Sequence, residues 1–253
     1  MIIDTHTHIN SKVLINPNIE IERINTDSDI QSVINVGLNI NTSKEAIKIS
    51  EENKKIYSSV GIHPLFIKDQ NSDELPNLIT DKVVAIGEIG LDKTKDNYYN
   101  QRNYFIKQLI IANELHLPVI IHSNNMTKEI IQIFKTTIKP KYGCVFHCFQ
   151  PVIDDLLYLV SEGYYISFAG KITYKTAKKS LEIAKIVPND LFMLETDSPY
   201  ISPEPHRNKE NNSSNIKYIV QRVSEVKGLS YEEIETLSNQ NAMRLFKKLK
   251  WHQ

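Results

Sequence analysis

Short apolar runs alternate along this chain with segments that have helical periodicity. The runs are rich in β-branched residues, and several are apolar almost throughout, as expected of strands buried on both faces of a parallel sheet. Their alternation with helix-compatible segments predicts repeated strand–helix units. The eight predicted strands are Met1–Thr5, Ser32–Val36, Ile56–Gly61, Val83–Glu88, Pro118–His122, Cys144–His147, Tyr164–Phe168 and Leu191–Glu195.

Two of the remaining segments give the clearest helix predictions. One long helix has an apolar face at Tyr98, Phe105, Leu109 and Ala112. A second helix, near the C-terminus, has its apolar positions at Ile216, Ile219, Val220, Val223 and Val226. Gly228 is predicted to end this second helix, and Ser230 with Glu233 forms a capping box that begins the next one.

The order of the elements indicates an α/β fold. Eight strand–helix units in 253 residues predict a single-domain (β/α)8 TIM barrel that spans residues 1–253 and carries additional C-terminal helices. A doubly wound open sheet is the alternative, but no glycine-rich phosphate loop supports it. No linker or low-complexity tract suggests a second domain.

Charge and cysteine content limit the setting of the protein. The 30 Lys and Arg residues balance the 30 Asp and Glu residues, so no global field draws the chain to nucleic acid or to an anionic membrane. Cys144 and Cys148 would lie four residues apart on one face of a strand, a spacing that suits neither a disulfide nor a compact zinc site. Buried, reduced thiols indicate a reducing compartment. With no secretory signal pattern and no long apolar run, the sequence predicts a cytoplasmic protein without a membrane span.

Residues capable of metal chemistry collect at the carboxyl ends of the predicted strands. In a (β/α)8 barrel these ends converge on one mouth, where catalysis takes place. Five of the eight histidines in the chain are therefore predicted to face one cavity. The residues at or just after strand ends are His6, His8, His63, Glu88, His122, His147 and Asp197.

This donor set is typical of a divalent-metal site. Imidazole nitrogens and carboxylate oxygens suit Zn, Mn, Fe, Co or Mg, so the physiological metal stays open. Period-two alternation in Asp4-Thr5-His6-Thr7-His8 puts the acid and both imidazoles on one side of an extended chain. Glu88 can bridge two ions, which at a separation of roughly 3.5–4 Å would activate water. Asp4 is either a ligand or a supporting acid that holds a histidine ring.

Eight motifs, in order along nearly the whole chain, resemble the TatD family of metal-dependent deoxyribonucleases, within the amidohydrolase-like superfamily. The motifs are Ile3-Asp4-Thr5-His6-Thr7-His8, Val60-Gly61-Ile62-His63-Pro64, Ile86-Gly87-Glu88-Ile89-Gly90-Leu91-Asp92, Leu117-Pro118-Val119-Ile120-Ile121-His122-Ser123, Val145-Phe146-His147-Cys148-Phe149, Tyr165-Ile166-Ser167-Phe168, Leu194-Glu195-Thr196-Asp197-Ser198-Pro199-Tyr200 and Asn241-Ala242-x-Arg244-Leu245-Phe246.

The resemblance implies two divalent metal ions per subunit. One would be held by His6, His8, Glu88 and Asp197, and the other by Glu88, His122 and His147. Glu88 and Asp197 would be the catalytic residues, with Asp197 orienting or deprotonating the attacking water. Glu195 shares a strand face with Asp197 and is either a supporting acid or a satisfied structural carboxylate.

Substrate contacts are predicted at two further positions. His63 follows the third strand and either hydrogen-bonds a substrate phosphate or leaving group, or packs beneath Pro64. Arg207 lies in the loop after the eighth strand, where it either makes a bidentate phosphate contact or is an ordinary surface residue. Lys171 and Lys175, after the seventh strand, are assigned no role.

The chain departs from the family pattern only in the loops of the mouth. Asn124-Asn125-Met126 replaces an arginine followed by an acid, and Gln150-Pro151 replaces a serine–glycine pair. Asn208 stands for the usual glycine, and Lys93 for an aromatic residue. None of these positions is a predicted ligand, so the departures bear on substrate preference rather than on metal chemistry.

The leading function implied by the resemblance is exonucleolytic hydrolysis of DNA, with single-stranded DNA favoured and no obligate protein partner. An alternative is deacylation of aminoacyl-tRNA, or hydrolysis of another ester or amide, because divalent ions also activate water towards a carbonyl. Amidases of the superfamily often bridge their metals with a carboxylated lysine, whereas Glu88 would be the bridge here. A non-catalytic metal-binding barrel is a minor alternative, which the complete ligand set disfavours.

Overall fold

The computed structural model of the protein describes residues 1–14, 16–149 and 152–252. Eight strands form one sheet in sequence order, and each pairs in parallel with the next. This order confirms the predicted α/β barrel. The strands are β1 (Ile2–Thr7), β2 (Ile30–Val36), β3 (Ile56–Val60), β4 (Val83–Asp92), β5 (Val119–Asn124), β6 (Cys144–Phe146), β7 (Tyr165–Phe168) and β8 (Phe192–Leu194).

The first and last strands meet at the mouth of the barrel. Thr7 and Ser198 form a parallel bridge. On either side of it, the amide of Asp197 donates to the carbonyl of His6 at 2.9 Å, and the amide of His8 donates to the carbonyl of Ser198 at 2.7 Å. The sheet therefore closes where the predicted ligands lie, and the open-sheet alternative is excluded.

The helices surround the strands, with one departure from the eightfold pattern. After β3 the described chain forms two 3₁₀ segments, Pro64–Phe66 and Ser72–Leu78, in place of an α-helix. Pro64 starts the first segment and Pro76 lies inside the second, where a proline removes a helical hydrogen bond. The α-helices are α1 (Pro17–Thr26), α2 (Ile40–Glu52), α3 (Tyr98–Glu114), α4 (Thr127–Thr136), α5 (Ile153–Ser161), α6 (Lys178–Ile186), α7 (Ile216–Lys227) and α8 (Tyr231–Leu245).

The helix ends agree with the sequence predictions. Gly228 ends α7 in the left-handed region, with φ of 67°, a conformation that glycine adopts without strain. The capping box of Ser230 and Glu233 begins α8. Helix α7 completes the eighth unit, so α8 is the additional C-terminal helix. Ile3 donates its amide to Asn239 of α8 at 2.8 Å, which ties this helix to β1.

Packed side chains fill the barrel beneath the mouth. Inward-facing residues of the strands form a buried cluster with residues of α8 and the segment after it, so this end of the barrel is a solid core rather than a channel. The cluster includes Ile3, Ile34, Val36, Val84, Ile120, Val145, Met193, Ala242, Leu245, Phe246 and Leu249.

Strand β4 is longer than the sequence pattern predicts. It runs to Asp92, so that Glu88 lies inside the strand rather than at its end. Gly90 has φ of 148° and pairs with His122 of β5, and a Cβ atom at Gly90 would lie 1.9 Å from the carbonyl oxygen of His122. Glycine therefore permits the close approach that lets β4 and β5 pair beyond Glu88.

The two cysteines do not share a strand face as predicted. Cys144 is buried in β6, whereas Cys148 lies beyond the end of that strand with φ of 42° and is partly exposed. Both thiols are free. The departure at Gln150-Pro151 lies outside the described residues. No helix in the described chain is long and apolar enough to cross a membrane.

Candidate metal centre

The closure of the barrel brings together a first group of predicted ligands, His6, His8 and Asp197. The Nε2 atoms of His6 and His8 lie 3.1 Å apart. Asp197 Oδ1 lies 3.4 Å from Nε2 of His8 and 3.9 Å from Nε2 of His6. All three side chains are at most 10% exposed, and their donor atoms are close enough together to hold one ion.

A second group forms on β4 and β5 and just after β6. Glu88 Oε1 lies 2.7 Å from Nδ1 of His122 and 3.2 Å from Nε2 of His147. The other oxygen of Glu88, Oε2, lies 3.5 Å from Nε2 of His6 and 3.9 Å from Nε2 of His8. The two oxygens of one carboxylate thus face two different groups of nitrogens, which is the arrangement that a bridging ligand needs.

Contacts behind three of the rings decide which nitrogen faces the cluster. His8 Nδ1 lies 3.1 Å from the carbonyl oxygen of Val36, and His147 Nδ1 lies 3.1 Å from Oε1 of Glu195. His122 is turned the other way, because its Nε2 lies 2.8 Å from Oδ2 of Asp92. In each case the outer nitrogen donates its proton, which leaves the lone pair of the inner nitrogen for an ion. The donor set therefore fits divalent metal ions.

His63 differs from the other rings of the site. Its Nδ1 accepts a hydrogen bond from the amide of Leu65 at 3.1 Å, so the proton of the neutral ring is on Nε2. That Nε2 lies 3.6 Å from Oε1 of Glu88. By distance alone, His63 could join Glu88 and His122 around an ion, but a protonated nitrogen has no lone pair to offer. We therefore treat His63 as a hydrogen-bond donor that faces the cluster.

The two central carboxylates stay ionised despite their burial. Burial alone would raise the pKa of Glu88, but the neighbouring rings, led by His147 and His63, outweigh this effect and hold its pKa well below the usual range. Burial likewise acts to raise the pKa of Asp197, but a hydrogen bond from His8 and the charges of the rings lower it. The centre thus offers two buried negative charges to a cation.

The carboxylate charges and burial act in opposite directions on the pKa of the rings. Burial acts to lower the pKa of every ring. For His147, Glu88 and Glu195 outweigh burial and raise the pKa well above its usual value. The pKa of His8 is raised for the same kind of reason, mainly by Asp197. Burial prevails at His63, whose pKa falls to about 3, so this ring is neutral.

The predicted supporting acids lie behind the ligands. Glu195 accepts from the ring of His147 and, at 2.6 Å, from the amide of Cys148. One interpretation of the sequence expected Asp4 to hold a histidine ring, but Asp4 does not contact an imidazole ring. It accepts from the amide and hydroxyl of Thr196 at 2.9 and 2.6 Å and from the amide of His6 at 3.3 Å, and so joins β1 to the chain after β8. Burial, partly offset by these hydrogen bonds, raises the pKa of Asp4 to about 7.

Two residues of the site were missed at the level of sequence. Asp92 holds the outer nitrogen of His122, and its four-residue spacing from Glu88 on one strand could have signalled a shared face. Lys171 lines the mouth of the site, and no pattern in the sequence distinguishes it from the many exposed lysines.

A cavity of about 200 Å³ opens above the centre. Arg207 is not among the residues that line it: its guanidinium stacks 4.3 Å from the ring centre of Tyr174, and Nη1 lies 3.9 Å from Oε1 of Glu204. The predicted contact between Arg207 and substrate stays a prediction. The cavity is lined by His122, Ser123, Asn124, His147, Cys148, Lys171, Asp197 and Ile201.

Fold and site together define a metal-dependent hydrolase built on a (β/α)8 barrel. The model of the TatD related DNase family matches residues 3–247, and this chain belongs to that family. It is 34% identical to the uncharacterized metal-dependent hydrolase YabD of Bacillus subtilis, over 98% of this chain and 99% of that protein.

Solved structures show the same fold. The TatD homologue YjjV from Escherichia coli superposes with a TM-score of 0.88 at 24% identity, covering 97% of this chain and 98% of that one. The phosphotriesterase homology protein from Escherichia coli, solved with phosphate in its active site, superposes with a TM-score of 0.71 at 16% identity and covers 97% of this chain and 98% of that one.

Proposed function

We propose that this metal-dependent hydrolase cleaves phosphodiester bonds in DNA with two divalent ions, and that it acts as an exonuclease on single-stranded ends. One observation carries the proposal. Glu88 directs one oxygen to His122 and His147 and the other to His6 and His8, so a single carboxylate could bridge two ions. A pair of ions suits phosphodiester cleavage because it can stabilise both the attacking and the leaving oxygen.

The residues of the centre divide the remaining work. Bound ions would polarise the phosphate and lower the pKa of the attacking water. Asp197, with its depressed pKa, is ionised at neutral pH and can orient the water and accept its proton. His63 offers its Nε2 proton to a substrate oxygen. Lys171 supplies a positive charge at the cavity, where an anionic substrate must enter.

The choice of a phosphate substrate has two supports. The matching family model describes its members as TatD related DNases. The structurally similar phosphotriesterase homology protein holds phosphate in its active site, although likeness of fold is only an analogy for function. We also propose a cytoplasmic setting, because the thiols of Cys144 and Cys148 are free.

A direct comparison of substrates tests the proposal. Metal-loaded protein is incubated with single-stranded DNA labelled at its 3′ or 5′ end and, separately, with aminoacyl-tRNA. We expect release of labelled nucleotides by the wild-type protein and a loss of about 10²- to 10⁴-fold in Asp197→Asn, which removes the base. Asp81→Asn is the matched control, because Asp81 is exposed and precedes β4 at the far end of the barrel.

Each outcome of this comparison decides between the candidate functions. Deacylation that depends on Asp197, without nucleotide release, would replace the nuclease with the aminoacyl-ester hydrolase that the same residues could support. Equal activity in Asp197→Asn and wild type would show that the measured hydrolysis does not come from this site.

A further inference from the structure

The rings of the two proposed ion sites have unequal partners on their outer sides. His122 and His147 each donate to a carboxylate, from Asp92 and Glu195 respectively. In the other group, His8 donates to the neutral carbonyl of Val36. Nδ1 of His6 has no hydrogen-bond partner in the described chain. Behind its imidazole rings, one site therefore has two negative charges and the other a single uncharged acceptor, while Asp197 is a charged ligand candidate of that second site.

Asp92 is fixed in place more tightly than its contact with His122 alone would require. Its Oδ2 also accepts from the side-chain amide of Asn124 at 3.2 Å. Its Oδ1 accepts from the backbone amide of Thr94 at 2.7 Å and from the hydroxyl of Thr94 at 2.5 Å. The side chain of Gln101 accepts from the backbone amide of Asp92 at 2.7 Å and donates to the backbone carbonyl of Asp92 at 3.0 Å. The residue is only 3% exposed. Three donors thus hold the carboxylate in one orientation against the ring of His122.

We propose that Asp92 is the positioning residue of His122, and that it strengthens ion binding at the site formed by Glu88, His122 and His147 without acting on the site formed by His6, His8, Glu88 and Asp197. This inference rests on the metal centre proposed above. A carboxylate behind a ligating imidazole fixes the ring and makes its inner nitrogen more basic, and removal of such a partner typically weakens metal binding about 10- to 100-fold. A carbonyl carries no net charge and does this less.

Calorimetric titration of the metal-free protein with Zn²⁺ tests the inference. The wild-type protein should bind two ions in two steps of different affinity. Asp92→Asn keeps the shape of the side chain but removes its charge, and it turns an NH₂ group either towards His122 or towards the donors of Thr94. We expect one of the two steps to weaken about 10- to 100-fold and the other to keep its wild-type affinity.

Thr94→Val is the matched control. It removes one donor from the same carboxylate without touching the contact with His122, so both binding steps should keep their wild-type affinities. Spectra of ¹⁵N-histidine in the zinc-loaded protein give an independent readout. His122 should keep a proton on Nε2 in the wild type, and that proton should exchange with water faster in Asp92→Asn.

The outcomes separate this inference from the function on which it rests. Unchanged binding steps in Asp92→Asn, or equal weakening of both steps together with a lowered Tm in the metal-free protein, would overturn the role given to Asp92. Failure of the wild-type protein to bind any ion would instead overturn the proposed metal centre itself.

Discussion

The floor and the rim of the cavity are built on different principles. The floor consists of His6, His8, Glu88, His122, His147 and Asp197, whose side chains are at most 17% exposed. The rim includes Asn124, which is partly exposed, and Lys171, which is exposed. Every floor residue is one that the family resemblance implies as a ligand, whereas at the rim Asn124 replaces the usual arginine.

Burial explains why the two regions differ. A buried charge on the floor that loses its partner costs several kcal/mol, because it is removed from water without compensation. Substitution of one floor residue therefore leaves its charged neighbours unpaired. Substitution of a solvated residue on the rim changes the free energy of unfolding by only about 0.5 kcal/mol or less. We therefore expect the catalytic chemistry to be confined to the floor, and the preference among substrates to depend on the rim.

The largest effect is expected from Glu88→Gln. Glutamine keeps the shape of Glu88 but removes the negative charge that both proposed ion sites share. We expect both zinc-binding steps to weaken and kcat to fall about 10³-fold or more, equivalent to several kcal/mol. Calorimetry and a hydrolysis assay measure the two effects, and circular dichroism checks the fold. Retention of both ions with full kcat would contradict the role of Glu88 as the ligand that both proposed ion sites share.

His63→Ala sharpens the comparison, because His63 is buried near the floor but is assigned as a donor rather than a ligand. Loss of one hydrogen bond to a charged substrate removes roughly 1.5–3 kcal/mol, so kcat/KM should fall about 10- to 100-fold. Zinc affinity should not change. A loss of bound zinc would instead make His63 a ligand, as the distances alone permit.

The pH dependence of zinc affinity should come from the floor. Burial acts to lower the pKa of His122 and His147, but carboxylates outweigh it and raise both values above 6.5. Both rings therefore keep a second proton to higher pH than a free imidazole does, and an ion must displace that proton. Affinity should fall as the pH drops from 8 to 6, by roughly tenfold per unit for each proton displaced. Zinc titrations across this range measure the slope, and a flat profile would contradict it.

The smallest effect is expected at the rim. In Lys171→Gln, KM for DNA should rise by a few-fold, equivalent to about 1 kcal/mol or less, while kcat stays the same. The difference should shrink at high salt, because exposed charges are screened. Lys175→Gln is the matched control, since Lys175 is also exposed but does not line the cavity. Equal changes of KM in the two variants would show that Lys171 has no specific role in substrate binding.

The sequence predicted much of the fold because the period of its apolar positions is a local property. The eight strands follow from that period, and the ends of α7 and α8 follow from local capping residues. The extension of β4 to Asp92 does not, because it depends on how closely Gly90 approaches His122 on another strand. The 3₁₀ segments after β3 were also missed, since prolines there override the helical pattern.

The site was predictable in its residue types but not in its orientations. Histidines and acids at strand ends indicated where ligands would collect. Which nitrogen of His122 faces the cluster depends on Asp92, 30 residues away, and the proton position on His63 depends on a local turn with Leu65. The position of Lys171 at the cavity depends on packing of loops that carry no periodic signal.

Crystals grown with Zn²⁺ test the central claim most directly. An anomalous difference map should show two zinc peaks, one on each side of Glu88, at about 2.0–2.2 Å from its two carboxylate oxygens. One peak should contact Nδ1 of His122 and Nε2 of His147, and the other should contact Nε2 of His6 and of His8. A single zinc without contact to Glu88, or no zinc within the barrel mouth, would contradict the account.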